Sequence, residues 1–468
     1  MAMIETRSID YVPLAERRGE VRHLWPVWFT GDAHLATLAT GAISVAGGLD
    51  LSWSSLAVIG GCVLGTILMA LHCSQGPHLG LPQMIQSRPQ FGYKGALLVW
   101  LVALVTYIGF NALNQSMAAS TVKELVGLPE GPTIIAFAAV AALIAAAGYD
   151  LIHKAQRLLA YLMLAVLAVY TVGFFTVVDL TTLLQPGTFK PTLFLVQFFA
   201  AAGYQLSWSI YVSDYSRYLP REVGIRAAFF WTFWGAFIGG AWMMLVGAFA
   251  AAAFANADIV VALRHSADAM FGGFGVIMLV SSFGGLITIT SLNLYGSSLT
   301  LLSVVDSVTP VRLGVASRMV ALVTVFGASL ALSLAMSGNV LHALEAFLGV
   351  LVYLFTPWTA INLADFFVVR KGRYSIRAMF MADGLYGRWN WRGLTSYATG
   401  FIAMIPFFKT ELYVGPVARA LGGADISMLI GLPVSAAVYL LLCRSLDLSA
   451  ELAQIPALDR NLETEPVR

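Results

Sequence analysis

The stretch WFTGDAHLATLATGAISVAGG, from Trp28 to Gly48, is long and apolar enough to cross a bilayer, yet Asp32, His34 and two threonines lie in its interior. A membrane helix needs about 20 predominantly apolar residues. Ionisable residues inside such a span are costly and by default indicate a functional site. Glycine and polar residues also interrupt membrane helices where freed backbone groups bind a solute. We therefore predict that this first span is a broken helix near a ligand site.

A second interrupted span reads AAAGYQLSWSIYVSD, from Ala200 to Asp214. Gly203, Gln205, Ser207 and Trp208 are expected to break its helix. It lies five spans after the first interruption. That separation is expected of equivalent elements in two five-helix halves related as an inverted repeat.

The chain as a whole is apolar, with 59% hydrophobic and only 11% charged residues. Hydropathy predicts an all-α integral membrane protein with about twelve transmembrane helices. The predicted spans are 27–48, 53–73, 95–120, 132–149, 158–178, 193–213, 227–253, 273–303, 316–337, 341–369, 394–412 and 425–443. This gives a single transmembrane domain over 27–443, with short tails at 1–26 and 444–468.

Basic residues alternate between the two sides of these spans. Of the 27 lysines and arginines, 22 fall on the side of the N-terminus. Because basic flanks stay in the cytoplasm during insertion, both termini are predicted to be cytoplasmic, in a cell inner or plasma membrane. The charged first 24 residues do not resemble a cleavable signal peptide. The net charge of +2 follows from this topology and gives no reason to expect a nucleic-acid partner.

Common catalytic and nucleotide-binding motifs are absent from the sequence: it has no GxSxG, HExxH or Walker sequence. Cys62, Cys73 and Cys443 lack ligand spacing and are interpreted as small apolar residues. We expect no enzyme activity, no metal or other cofactor and no obligate protein partner. A passive channel is a weaker alternative, because polar residues concentrate at two helix breaks and do not line a continuous pore. An intramembrane enzyme would need a nucleophile–base pair or metal cluster, and neither is found.

Four motifs resemble one transporter family, the nucleobase:cation symporter-1 family, and specifically its purine-cytosine permease branch. They are GPHLGLPQMIQSRPQFGYKG (Gly76–Gly95), SDYSRYLP (Ser213–Pro220), TPWTAINLADFFVVRKGRY (Thr356–Tyr374) and YGRWNWRGLTSYATG (Tyr386–Gly400). The resemblance implies a LeuT-like fold, with two inverted five-helix repeats and two further helices. It also implies cation-driven import of a flat heterocycle bound between spans 1, 3, 6 and 8.

By position in three further segments, TYIGFNALNQ (Thr106–Gln115), GYQLSW (Gly203–Trp208) and TSLNLYGSS (Thr290–Ser298), the resemblance assigns six substrate-binding candidates. They are Tyr107 and Asn111 in span 3, Tyr204, Gln205 and Trp208 in span 6, and Asn293 in span 8. The residue types suit the expected ligand. Aromatic rings stack on a planar heterocycle, and neutral amides offer both a donor and an acceptor to its edge. The alternative is that each side chain only packs between helices or hydrogen-bonds across them.

The coupling ion is predicted to be a proton more readily than sodium. Sodium-coupled relatives use a Ser-Thr pair in span 8, and here the matching positions are Ile287 and Thr288, so one hydroxyl is missing. Asp32 and His34 are the proton candidates, with Thr288 kept as a third coupling residue. Residues two apart cannot share one face of a continuous helix.

Substrate identity stays open within one chemical class. A purine or cytosine is favoured by the G-Y-x-x-S-W segment of span 6. Sodium-coupled uptake of allantoin, a hydantoin, thiamine, pyridoxine, urocanate or creatinine is the alternative, since all of these present a flat face and a mixed polar edge.

Overall fold

The computed structural model describes residues 10–465 except 148, 178, 186, 255–256, 310–313 and 337–338. Within that part of the chain the structure is helical, and the one extended pairing is an isolated bridge between Lys409 and Val414. The helices before residue 190 are α1 (Leu24–Gly31), α2 (Leu35–Ala46), α3 (Leu51–Cys73), α4 (Gln75–Leu79), α5 (Arg88–Phe91), α6 (Leu97–Val126), α7 (Glu130–Ala147), α8 (Tyr149–Val177) and α9 (Leu180–Leu183). Those after it are α10 (Pro191–Ser207), α11 (Val212–Ser216), α12 (Gly224–Ala253), α13 (Ile259–Asp268), α14 (Phe274–Val308), α15 (Val315–Ala335), α16 (Val340–Ala364), α17 (Trp391–Met404), α18 (Pro416–Ala420), α19 (Ser427–Leu442) and α20 (Leu448–Leu458).

Eight helical segments among the described residues are long and apolar enough to cross a membrane. They contain α3, α6, α10, α12, α14, α15, α16 and α19. The remaining predicted spans correspond to the α1–α2 pair, α7, α8 and α17. The prediction of a span over 394–412 is wrong at its end. The helix stops at Met404 and a 3₁₀ turn follows over Ile405–Phe407, because Pro406 cannot continue the α-helical hydrogen bonds.

The helices associate in three groups. The first contains α1, α2, α3, α10 and α12, the second α6, α7, α8, α14 and α15, and the third α16, α17 and α19. Glycines bring α2 and α12 into backbone contact. A methyl group at Gly41 would lie 1.7 Å from the Met244 carbonyl oxygen, and one at Gly247 would lie 1.8 Å from the Leu38 carbonyl oxygen. Small residues permit such close approach of membrane helices.

The connection between α3 and α6 was predicted as a loop, but it is a buried layer that contains α4 and α5. Its polar side chains hydrogen-bond to α16 and the turn after it: Gln75 Nε2 donates to Asn362 Oδ1 at 2.7 Å, and Gln90 Nε2 donates to Asp365 Oδ2 at 2.7 Å. His72, at the end of α3, stacks on Trp358 with ring centroids 4.5 Å apart. This layer closes one end of the bundle.

The end of α16 carries a buried charge network. Arg370, 1% exposed, donates to Asp365 at 2.6 Å and to both carboxylate oxygens of Glu451 at 2.6 and 3.0 Å. Tyr374 and Tyr439 also donate to Asp365, at 2.9 and 3.0 Å. Buried charges require partners of this kind. Because Glu451 lies in α20, the C-terminal tail is an integral part of this end of the fold.

Candidate functional site

The first helix break lies between α1 and α2, as predicted. α1 ends at Gly31, and α2 begins at Leu35. His34 is extended, with φ −152° and ψ 168°, and its backbone N–H bonds to the Asp32 carbonyl at 2.9 Å. The interruption therefore covers Asp32, Ala33 and His34. The threonines that follow, Thr37 and Thr40, lie within the regular helix α2.

The second break lies later in span 6 than predicted. α10 runs without interruption to Ser207, so Gly203, Gln205 and Ser207 are helical, and the prediction that they break the helix is wrong. A 3₁₀ turn covers Trp208–Ile210, and Tyr211 has φ −137° and ψ 11° before α11 begins. A glycine in a membrane helix can serve close packing instead of a break. Here a methyl group at Gly203 would lie 2.5 Å from a Val352 methyl carbon.

The two breaks meet through side chains of Asp32, His34, Thr37, Tyr204, Gln205 and Trp208, here called the break junction. Trp208 Nε1 donates to Asp32 Oδ1 at 3.1 Å, and Gln205 Nε2 donates to Asp32 Oδ2 at 3.3 Å. His34 Nε2 lies 3.0 Å from the Tyr204 hydroxyl, which lies 2.7 Å from the Thr37 hydroxyl. Asp32 is only 1% exposed. Each ionisable residue of span 1 therefore has its partner on span 6.

Asp32 and His34 were predicted to lie on different faces of one helix, and this prediction is wrong because it assumed that the helix is continuous. The helix is interrupted at these two residues, so the 100° spacing of a continuous helix does not apply. His34 is extended, and both side chains turn toward α10. Sequence spacing alone could not locate the interruption to within one residue.

The span 3 candidates line the same region from α6. The Tyr107 ring stacks on Tyr211, with centroids 5.7 Å apart and planes 14° apart. Phe110 packs edge-on against Tyr204 at 5.8 Å. Asn111 is fully buried, and neither its Oδ1 nor its Nδ2 has a hydrogen-bond partner within the described chain. A buried amide without a partner costs about 1–3 kcal/mol, so this residue is suited to a ligand.

The span 8 candidates lie on α14 and have fewer contacts with the junction. Gly296 faces Tyr107, since a methyl group there would lie 3.1 Å from the Tyr107 hydroxyl. Asn293 is half-buried and lies one helical turn before Gly296. Its side-chain amide makes no hydrogen bond with the described residues. The Thr288 hydroxyl donates to the Gly285 carbonyl of its own helix at 2.9 Å. The structure thus leaves the Asn293 amide available and the Thr288 hydroxyl engaged.

Three further residues contribute to the region and were not predicted. Tyr211 and Phe110 supply aromatic surfaces, as described above. Gly240 on α12 lies against the junction, because a methyl group there would be 2.1 Å from Gln205 Nε2 and 3.2 Å from Asp32 Oδ2. The Gly239–Gly240 pair in the middle of a predicted span was a usable signal, since paired small residues mark close helix contacts.

Unpaired polar atoms collect around the junction. Besides Asn111, they are Gln205 Oε1 and His34 Nδ1, both buried and without a partner in the described part of the chain. Together they offer acceptors and donors to a planar molecule, with aromatic rings beside them. No three His, Cys, Asp or Glu side chains among the described residues lie together as a metal site requires. These unpaired atoms are chemically suited to a planar ligand with a polar edge.

Comparisons with known proteins identify the family of the chain. Residues 11–431 match the family described as "Permease for cytosine/purines, uracil, thiamine, allantoin". The chain is 37% identical over 441 residues to the putative purine-cytosine permease YxlA of Bacillus subtilis, covering 94% of this chain and 96% of that protein. It is 23% identical over 463 residues to the purine-cytosine permease fcyB of Emericella nidulans, covering 94% and 88%.

Two solved structures share the fold. Mhp1, a nucleobase-cation-symport-1 family transporter, in a closed conformation with bromovinylhydantoin bound, aligns with a TM-score of 0.72 at 17% identity, over 96% of this chain and 99% of that one. Its inward-facing conformation aligns with a TM-score of 0.73 at 18% identity, over 98% of each chain. The predicted LeuT-like helical fold is thereby confirmed. Since the family match spans nearly all of the helical region, the chain belongs to the permease family for cytosine and purines, uracil, thiamine and allantoin, and it is a membrane transporter and not an enzyme.

Proposed function

We propose that this transporter imports a purine, cytosine or a similar small planar heterocycle by proton symport, with the substrate bound at the break junction. The observation that carries the proposal is the junction itself. Two interrupted helices meet through a buried carboxylate, Asp32, whose hydrogen-bond donors are the substrate candidates Gln205 and Trp208. A cation-binding group and a substrate-binding group are therefore in direct contact.

Substrate binding is assigned to amides and aromatic rings on three sides of the junction. The unpaired groups of Asn111 and Gln205, with the available amide of Asn293, match the donors and acceptors on the edge of a nucleobase. Tyr107, Tyr204 and Trp208 supply ring surfaces, and stacking contributes about 0.5–1.5 kcal/mol beyond burial. Relatives named as purine-cytosine permeases support this class of substrate.

The coupling proposal depends on the protonation state of the Asp32 carboxyl group. An ionised carboxylate that is fully buried with no cation beside it is costly, whereas its protonated form is not. A proton gained from the outside would leave one oxygen of Asp32 accepting from Trp208 or Gln205 and the other free to donate. This changes the hydrogen bonds of two substrate-binding residues, so protonation and substrate binding affect each other. His34, which bonds to the Tyr204 hydroxyl, is a second protonatable group at the same helix break.

Sodium is less well supported by the residues of α14. Ile287 has no oxygen in its side chain, so of this pair only the Thr288 hydroxyl, whose hydrogen is donated to the Gly285 carbonyl, offers an oxygen to sodium. Hard cations require several oxygen ligands. We therefore assign the coupling step to Asp32 and His34, and give Thr288 at most a supporting role.

The end at which an imported substrate leaves the protein follows from the distribution of basic residues. Both tails, the α4–α5 layer and the segment after α16 lie at the end with most arginines, which the positive-inside rule assigns to the cytoplasm. Import then requires substrate to enter from the opposite end and leave past the α4–α5 layer. The hydrogen bonds of this layer to α16 would be broken at that step.

The test is thermal stabilisation of the purified protein by a panel of heterocycles. Nucleobases, allantoin, a hydantoin, thiamine and pyridoxine are each added at pH 5.5 and pH 7.5, with sodium or with choline. A ligand that binds only the folded state raises the melting temperature in proportion to RT ln(1 + [L]/Kd). Stabilisation by a purine or cytosine without sodium is the expected result. A ligand that acts only with sodium would contradict proton coupling, and stabilisation only by a non-nucleobase would contradict the substrate.

A further inference from the structure

A cavity of about 510 Å³ lies at the end of the molecule where both tails meet. Its walls come from the N-terminal segment, the end of α4, the turn at Arg221, the segment after α16 and α20 with the residues after it. It is separate from the break junction, since none of its lining residues belongs to that site. Its volume is within the range of small-molecule sites, about 300–1,000 Å³. We call it the tail cavity.

The tail cavity is built by specific contacts between distant parts of the sequence. Glu463 accepts from the Tyr11 hydroxyl at 2.6 Å and from the Leu14 backbone N–H at 2.8 Å. Asp459 accepts from the Ser375 hydroxyl and from the backbone N–H groups of residues 376 and 377, at 2.8 to 3.1 Å. Both acids that line the cavity are therefore held by neutral donors. Neither needs an arginine to satisfy its oxygens.

Three arginines line the same cavity and have no carboxylate partner in the described part of the chain. Arg17 is 5% exposed and is held in place by bonds to carbonyl oxygens, Nε to Val12 and Nη1 to Pro77, both at 2.8 Å. Arg221 and Arg373 are exposed at the mouth. Burial lowers the pKa of Arg17; of its charged neighbours, Glu463 raises this pKa and Arg221 lowers it further. The cavity carries excess positive charge.

The cavity also has apolar lining. Leu452, Ile455, Pro456 and Leu462 line it from α20 and the segment after it, beside Asp459 and Glu463. A cavity lined by both guanidinium groups and aliphatic side chains matches an amphiphile with an anionic head. Arginine forms paired hydrogen bonds to phosphate oxygens and is the preferred residue for recognising them.

We propose that the tail cavity binds a phosphate group that carries an apolar body, either a soluble phosphate ester or the headgroup of an anionic lipid. Arg17, Arg221 and Arg373 hold the phosphate, and α20 covers the apolar part. The walls come from both tails and from the segment after α16. A ligand in the cavity would therefore contact all three segments and hold them together. The proposal does not depend on which heterocycle is transported.

The experiment measures thermal unfolding of the full chain in an uncharged detergent at constant ionic strength. The probes are inorganic phosphate, hexyl phosphate, and phosphatidylglycerol compared with phosphatidylcholine in mixed micelles. None of them contains a heterocycle, so none competes for the break junction. We expect a saturable rise in melting temperature with hexyl phosphate or with phosphatidylglycerol. Stabilisation by hexyl phosphate identifies a soluble ester, and stabilisation by phosphatidylglycerol alone identifies a lipid headgroup.

The matched variants are R221Q/R373Q and R18Q/R444Q. Both remove two exposed arginines from the same end of the molecule, but only the first pair lines the cavity. The first variant should bind the probe at least tenfold more weakly, while the second binds as the unmodified protein does. Heterocycle binding should be unchanged in both. No saturable rise with any probe, or equal loss in both variants, would overturn the proposal.

Discussion

Replacing Gly240 with alanine tests the position of Gln205, and through it the geometry of the break junction. The added methyl group would lie 2.1 Å from Gln205 Nε2, whereas ordinary contacts of a Cβ atom begin at 3.4 Å. The amide nitrogen must therefore retreat by about 1.3 Å, the difference between these two distances. Its bonds to the Ala236 carbonyl at 2.8 Å and to Asp32 at 3.3 Å cannot both survive that movement. The backbone is not in the way, so the helix itself can form.

We expect Gly240→Ala to weaken ligand binding more than it lowers the stability of the protein. A hydrogen bond lost in a desolvated site costs about 1–3 kcal/mol, which corresponds to an affinity about 5–150-fold weaker. The two internal hydrogen bonds of Gln205 also contribute to stability, but alanine gains about 1 kcal/mol over glycine in a helix and offsets part of their loss. We therefore expect a modest fall in melting temperature and a large fall in affinity.

The assay is equilibrium binding of the best ligand from the stabilisation panel, with melting temperature measured in parallel. Gly327→Ala is the control, because a methyl group there meets nothing within 4 Å. Gly41→Ala is the opposite control, because its methyl group meets the Met244 backbone and should prevent folding. In a Gln205→Ala background the clash with the amide disappears and only the 3.2 Å contact with Asp32 Oδ2 is left, so Gly240→Ala should have little further effect on affinity. Unchanged affinity in Gly240→Ala, or additive losses in the double variant, would refute the described geometry.

Three other substitutions test separate parts of the molecule. Asn293→Ala should lower kcat/KM for uptake about 5–150-fold in a normally inserted protein, because an amide contact to the substrate is lost; normal uptake would remove Asn293 from the site. Asp32→Asn should retain exchange of labelled substrate in proteoliposomes but lose pH-driven accumulation, and unchanged accumulation would show that the proton is carried elsewhere. Glu451→Ala removes both acceptors that α20 offers to the buried Arg370 guanidinium, which keeps Asp365, and should lower the free energy of unfolding by about 1–3 kcal/mol, measured by denaturant titration; a denaturation curve like that of the unmodified protein would contradict this role of the tail.

The fold was predictable because membrane spans and broken helices leave strong local signals. Long apolar runs give the spans, and Asp32 inside one of them marks the first break. The details depended on tertiary contacts. Gly203 serves contact with Val352 and does not end α10, and a single sequence cannot distinguish these two uses of glycine. The buried α4–α5 layer was missed because its glutamines and arginine have the composition of an exposed loop.

The candidate site was predictable as a set of residues but not as a set of contacts. Gln205 and Trp208 were assigned to the substrate and Asp32 to the cation, and the structure joins all three directly. That link requires the register of α10 against the interrupted first span. The register is set by contacts such as those of the Gln197 side chain, which accepts from the Ser44 backbone N–H and donates to the Thr40 carbonyl, and no local pattern reveals them. Tyr211 was missed for the same reason, since its stacking on Tyr107 is a contact between distant helices.

The network around Arg370 also sets an order of events during synthesis. Arg370 leaves the ribosome 81 residues before Glu451, which at about 5–20 residues per second is about 4–16 s earlier. Until then one side of its guanidinium has no carboxylate, although Asp365 is already present. A chain that stops before Glu451 would leave the Nε and Nη2 donors of Arg370 without their carboxylate acceptors. Synthesis of α20 thus completes this network, and until then the end of α16 carries buried donors that only water can satisfy.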